Sequence, residues 1–203
     1  DGKTGNFWTN WVFVPAYRNG KAPYGQWTAN HLWVLGNWAN GAKGDFRFDV
    51  GGAVLNRKAG TRISNRVGWL GFLWNAAQNS HWTAIGYPQG KPFNGKLQQI
   101  CQGSYAYSAG GASPRPIAIG CDQTGGSSGG PWIQKYSKTA GASNYVNGVN
   151  SFHRCKNASC SAAFDQEMFS PYFNAGTKLL RDCLVNSVPG NPADPAKGCA
   201  KGT

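Results

Sequence analysis

Cys121-Asp122-Gln123-Thr124-Gly125-Gly126-Ser127-Ser128-Gly129-Gly130-Pro131-Trp132 decides the reading of this 203-residue chain. Four glycines enclose two serines, and an apolar, strand-like run, Pro131-Trp132-Ile133, follows at once. A Gly/Ser cluster by itself marks only a turn. A nucleophilic serine needs more. Its hydroxyl must face the substrate, so the backbone around it must bend tightly, and glycine bends without a Cβ penalty. Backbone N–H groups beside it must also converge where an oxyanion develops. The N–H groups of Gly126 and Ser128 are the candidates for that hole.

The ending Ser128-Gly129-Gly130-Pro131 resembles the Gly-x-Ser-Gly-Gly-Pro signature of chymotrypsin-fold serine proteases. On that resemblance Ser128 falls on the nucleophile, Ser127 falls where many members carry an Asp that pairs with the mature N-terminus, and a small residue there is similar to the secreted glutamyl-endopeptidase-like (V8-like) branch. Two other serine-hydrolase orders are set aside. The α/β-hydrolase elbow needs an acid and then a His after the serine, but no acid separates Ser128 from His153. A subtilisin order of Asp49, His81 and Ser128 is formally available, but the serine context does not resemble that family.

Composition agrees with a β protein. Charged residues are 14% of the chain, with 29 Gly and 9 Trp, a turn-rich and aromatic-rich balance. The 20 Lys and Arg against 8 acidic residues give +12, which favours anionic substrates or surfaces. No Lys/Arg run marks a nucleic-acid site, and no apolar run is long enough to span a membrane. The six cysteines lack metal-ligand spacing and read as disulfides in an oxidising compartment. Neighbouring pairs are expected, Cys101 with Cys121, Cys155 with Cys160 and Cys183 with Cys199, although six cysteines allow many connectivities. The first residue is Asp1 rather than Met, which is read as a processed, secreted, extracellular product.

Short strands punctuated by Gly and Pro are expected throughout. They fall at residues 11–14, 26–34, 46–50, 53–55 after a Gly51-Gly52 kink, 83–88, 97–101, 116–120, 131–133 and 145–151. One helix is expected near the end, capped by Ser170 with Pro171 in its first turn, and the tail after Val185 is expected to be irregular. The resemblance implies an all-β fold: two six-stranded antiparallel β-barrels followed by a C-terminal helix. On that basis the chain divides into residues 1–75, an N-terminal barrel lacking its first strands; residues 76–168, a C-terminal barrel with the serine loop; and residues 169–203, a helix and disulfide-held tail.

A serine hydroxyl becomes a nucleophile when a His takes its proton and an acid orients that His. The acids upstream of the loop are Asp1, Asp45 and Asp49. Phe48-Asp49-Val50-Gly51-Gly52-Ala53-Val54-Leu55 resembles the family's Asp segment, where the acid precedes a buried strand, so Asp49 is the candidate triad acid. Asp45, after Gly44, reads as a turn acid. In the family the His lies roughly 45 residues before the Asp, in a Thr-Ala-x-His-Cys motif. Thr28-Ala29-Asn30-His31 mimics it, but His31 is only 18 residues before Asp49, inside a strand-like run and without the Cys. Residues 10–25 instead resemble sequence that follows the His motif. The expectation is therefore that the catalytic His lies upstream of Asp1, on a non-covalent N-terminal light chain, with His31 a strand residue and His81 a surface turn residue.

The resemblance further implies a substrate cleft formed by Asp122, Thr124, Ser151 and His153. Gly148-Val149-Asn150-Ser151-Phe152-His153 resembles the strand that lines the S1 pocket, where His153 would receive an acidic P1 side chain. Asp122, six residues before Ser128, would instead receive Lys or Arg. The V8-like resemblance and the positive charge lean to acidic P1. The implied function is a secreted serine endopeptidase acting on protein or peptide substrates through an acyl-enzyme, with no metal or organic cofactor. The rival is a catalytically inactive protease-like protein that binds a cell-wall or carbohydrate surface through its tryptophans.

Overall fold

A computed structural model describes residues 7–40, 45–139, 141–154, 166–186 and 199–202. Two compact units appear. Residues 1–69 and 174–203 form the first, and residues 70–173 form the second.

The second unit carries the serine loop on a closed barrel. Its strands are β4 (Gly71–Phe72), β5 (His81–Gly86), β6 (Gln99–Ser108), β7 (Ile117–Gly120), β8 (Pro131–Gln134), β9 (Tyr145–Val149) and β10 (Glu167–Ser170), in the sheet order β10-β7-β6-β5-β8-β9-β4. The chain beyond β9 closes the ring. Ser151 N donates to Phe169 O at 2.9 Å, and Phe169 N donates to Phe152 O at 2.9 Å, so β9 is continued alongside β10. Strand β6 alternates between inward and outward residues, as a half-buried strand does. Strands β5 and β7 are buried on most positions, which explains their apolar runs. The core packs Trp82, Ala84, Ile117, Ile119, Trp132 and Met168 around the Cys101–Cys121 disulfide. The Trp82 and Trp132 rings lie 5.8 Å apart in a tilted arrangement.

The first unit holds a four-stranded sheet among the described residues: β1 (Val12–Phe13), β2 (Trp27–Leu35), β3 (Gly51–Leu55) and β11 (Cys199–Gly202). Strand β2 is central. It pairs antiparallel with β1, β11 and β3, and no described strand pairs with the outer edge of β3. The helices are α1 (Gly36–Asn40), α2 (Ser64–Val67) and α3 (Ala175–Asn186). Leu180 and Cys183 of α3 pack with Trp33, Leu35 and Cys199 in a core of this unit.

Several sequence expectations change. Phe46–Phe48 forms a 3-10 turn rather than a strand. The Asp45 carboxylate accepts from Arg47 N at 3.2 Å, a local bond that competes with extended backbone. Gly51 and Gly52 do not kink the chain but lie within β3. A Cβ on Gly52 would collide with Leu184 of α3, so glycine serves close helix-on-strand approach. The bulge sits on β2 instead, between Ala29 and His31.

Ser170 does not cap the helix. It ends β10, fully buried, with its Oγ accepting from Val149 N at 2.9 Å. The first turn of α3 is satisfied by Asn174 Oδ1, which accepts from Gly176 N at 2.8 Å and Thr177 N at 3.3 Å. The tail expected to be irregular supplies β11. The two units divide at Trp69/Leu70 and Phe173/Asn174. Strand β4 pairs with β9 and so joins the second unit, while α3 packs on strands of the first.

Candidate active site

The serine loop joins β7 to β8 within the second unit and is fixed from both sides. Gly125 O accepts from Gln89 N at 2.8 Å, and Thr124 Oγ1 donates to Gly90 O at 3.0 Å. On the other side, Gly129 N donates to Asn150 O at 2.8 Å, and Asn150 N donates to Gly130 O at 2.8 Å. A Cβ on Gly130 would run into Ile85 O, so only glycine fits there. Gly126 has φ 98°, a backbone conformation that side chains disfavour.

These constraints separate the two serines. Ser127 is 3% exposed, and its hydroxyl donates to Thr124 O at 2.9 Å. Ser128 is exposed at the tip. Among the described residues nothing bonds the Ser128 hydroxyl, and the N–H groups of Gly126 and Ser128 donate to no acceptor. One loop therefore carries an exposed serine beside two uncommitted amide donors, the kinds of group that an acyl-transfer site requires.

The remaining residues are placed as follows. Asp49, half-buried, follows the 3-10 turn of the first unit and precedes β3. Asp45 is committed to Arg47, with Nε and one terminal nitrogen of the guanidinium at 2.8 and 2.7 Å. Those bonds hold its carboxyl below the usual carboxylate range. His31 lies within β2 opposite Val54. Its Nδ1 is sealed without a partner, and burial, reinforced by Lys201, lowers its pKa. His81 is exposed at the start of β5. His153 follows the Phe152–Phe169 bridge, and its Nε2 is sealed without a hydrogen-bond partner.

Ser151 is half-buried beside the barrel closure, and the Thr124 hydroxyl is spent on Gly90 O. Asp122 is exposed, with Oδ1 at 3.6 Å from Cys101 Sγ. That grouping of Cys101, Cys121 and Asp122 offers no thiolate to a metal, because both sulfurs are consumed in a disulfide.

No protein-family model matches the chain. No curated protein sequence matches it either. Solved structures do. The protease Anisep from Arthrobacter nicotinovorans is 34% identical with a TM-score of 0.78, over 92% of this chain and 80% of that one. The thermostable serine protease AL20 from an extremophilic microorganism is 33% identical with a TM-score of 0.74, over 88% of this chain and 76% of that one. This chain belongs to the chymotrypsin-fold serine proteases. A Glu endopeptidase in complex with MPD shares the fold at a TM-score of 0.64 and 16% identity, over 85% of this chain and 70% of that one.

Within this serine protease chain, two of the expected disulfides form, Cys101–Cys121 and Cys183–Cys199. Cys155 and Cys160 lie outside the described residues. Sequence reasoning missed the buried polar pair Gln123 and Asn150 behind the serine loop, 1% and 2% exposed. No residue pattern singled out Asn150, because the strand before it already carries the polar Asn147. It also missed the cluster at β10. There Tyr107 donates to Glu167 Oε2, Arg154 Nε lies 3.2 Å from Glu167 Oε1, and the Arg154 guanidinium covers the Tyr107 ring at 4.6 Å.

Proposed function

We propose that this chain is part of a secreted serine endopeptidase that cleaves peptide bonds through an acyl-enzyme on Ser128. The exposed Ser128 hydroxyl beside the uncommitted N–H groups of Gly126 and Ser128 carries this reading. Ser128 Oγ attacks the scissile carbonyl carbon and passes its proton to a His held by Asp49. The carbonyl oxygen becomes an oxyanion between the two amides. Collapse expels the amine, which takes the proton from the His. Water then attacks the ester, gives its proton to the His, and releases Ser128 with its proton restored.

The His comes from a segment preceding residue 1, docked as a separate light chain. Three observations support this. His31 lies mid-strand with Nδ1 sealed. The outer edge of β3 pairs with no described strand, which leaves a ladder for additional strands. The chain spans 80% of Anisep and 76% of AL20, so those proteases have length beyond the match. The two described disulfides close within this chain, so neither ties it to another. Secretion is in keeping with these disulfides and with the absence of any helix long and apolar enough to cross a membrane among the described residues.

For specificity, the geometry favours Asp122 over His153. In a chain of +12, Asp45, Glu167 and Asp182 each hold a Lys or Arg. Asp122 is exposed and holds none among the described residues. His153 Nε2 is closed to solvent. On these grounds we propose a basic P1 side chain received by Asp122, with the acidic P1 that the V8-like resemblance suggests, received by His153, as the alternative.

The protein purified from its source is the right test material. Native mass spectrometry should show this chain with a smaller partner that separates on denaturation. A peptide library should be cut after Lys and Arg, and Asp122→Asn should reduce that cleavage about 100-fold. A single folded and active 203-residue chain would refute the light chain. Cuts confined to Glu and Asp sites would refute the assignment of Asp122.

A further inference from the structure

We propose that Asn150 is the positioning residue for the nucleophile: its buried side-chain amide holds the turn on which Ser128 stands. The proposal rests on Ser128 being the nucleophile. Asn150 follows β9, and its side chain crosses behind the serine loop. Its Nδ2 donates to Ser127 O at 3.1 Å, to Ile85 O at 3.1 Å and to Gln123 Oε1 at 3.2 Å. Its Oδ1 accepts from Trp132 Nε1 at 2.7 Å. Gln123 extends the network, with Nε2 donating to Ala84 O at 3.3 Å and Gln99 O at 3.1 Å.

The amide thus joins the residue before the nucleophile, through Ser127 O, to strand β5, through Ile85 O. The indole of Trp132 fixes which end of the amide faces the loop, because an indole N–H only donates. The backbone of the same residue adds its bonds to Gly129 and Gly130. The peptides on both sides of Ser128 are therefore referred to one residue, the preceding one through its side chain and the following one through its backbone. That side chain, 2% exposed, has its polar atoms satisfied, and a satisfied buried network of this kind fixes a single geometry. Asn150 touches neither substrate nor reacting atoms. It acts through the direction in which the Ser128 hydroxyl and the Gly126 and Ser128 amides point.

The test compares the full-length protein with its Asn150→Asp variant. Aspartate keeps the shape and the acceptor for Trp132 Nε1 but sets a carboxylate oxygen against the Ser127 and Ile85 carbonyls. A misplacement of about 1 Å at a reacting group lowers the rate roughly 100-fold. The rate of Ser128 acylation by a fluorophosphonate, and kcat for a peptide, should each fall by about that factor, with KM changed less than about threefold. Asn150→Ser, a milder change, should fall in the same direction and is read in the same way if the Asp variant does not fold.

A purely structural role would lower the melting temperature and leave the acylation rate of the folded molecules unchanged, and that outcome overturns the proposal. The unsubstituted protein gives a reading that needs no variant: the Asn150 side-chain amide protons should exchange slowly with solvent, and exchange at free-amide rates also overturns it. If the unsubstituted protein is not acylated at Ser128, the nucleophile assignment fails and the proposal with it. Equal acylation of the unsubstituted protein and the variants removes only the positioning role.

Discussion

Ser127 and Ser128 have the same chemistry, and the backbone turns one inward and the other out. Ser127→Ala removes a buried bond to Thr124 O and should cost about 1 kcal/mol of stability, read as a shifted denaturant midpoint, with peptide hydrolysis retained. Ser128→Ala should abolish hydrolysis by several decades without moving that midpoint. The reverse pattern would reassign the nucleophile. Two titrations belong at the same scale. Burial, then Lys201, lowers the His31 pKa from 6.5. As the pH falls below that value the unfolded chain binds this proton first, so His31 withdraws stability on acidification. An NMR titration should place its midpoint below 6.5; a midpoint above that would mean that a neighbouring acid reaches it. Tyr107 moves the other way. Burial, then its bond to Glu167, raises its pKa from 10.0 to about 12. Stability linked to it is complete below pH 10 and is lost as pH rises towards about 12. An ultraviolet titration should lose its last-ionising step in Tyr107→Phe, and an unchanged curve would contradict the Tyr107–Glu167 bond.

Among the elements, β11 shows how far local sequence signals reach. Its four residues have no strand pattern of their own and lie in a Pro/Gly-rich tail. They become a strand because the Cys183–Cys199 bridge brings them from α3 to the edge of β2. The bridge closes a 16-residue separation, and Cys183→Ala with Cys199→Ala should cost about 3 kcal/mol, measured by thermal unfolding. An unchanged melting temperature would show that the pairing with β2 holds without it. Strands β5, β7, β8 and β9 were legible because they carry apolar or alternating residues bounded by Gly and Pro, whereas β6 runs on to Ser108, seven residues past its expected end at Cys101. The 3-10 turn at Phe46–Phe48 was not, since its aromatic-rich sequence favours a strand and one carboxylate, on Asp45, decides otherwise. The helix start was misplaced for a related reason. Ser170 and Asn174 are both good caps, and only the tertiary bond from Val149 N to Ser170 Oγ shows that the first is already used.

At the scale of the whole molecule, the resemblance of the serine loop to the family's signature, with a turn-rich and aromatic-rich composition, indicated an all-β protease chain, and the matches to Anisep and AL20 agree. The unit boundaries were less legible, because α3 follows the second unit in sequence but contributes its apolar face to the core of the first. The buried clamp at Asn150 and Gln123 was also hidden, since its partners are main-chain carbonyls, the Trp132 indole and each other's amides, which only the fold brings together. The account as a whole turns on one atom, Ser128 Oγ, being activated. The measurement that tests this most directly is fluorophosphonate labelling of the protein purified from its source, followed by peptide mapping. The account predicts one stable adduct on Ser128, formed in Ser127→Ala and absent in Ser128→Ala. An adduct on Ser127, or no adduct on folded protein, would contradict it.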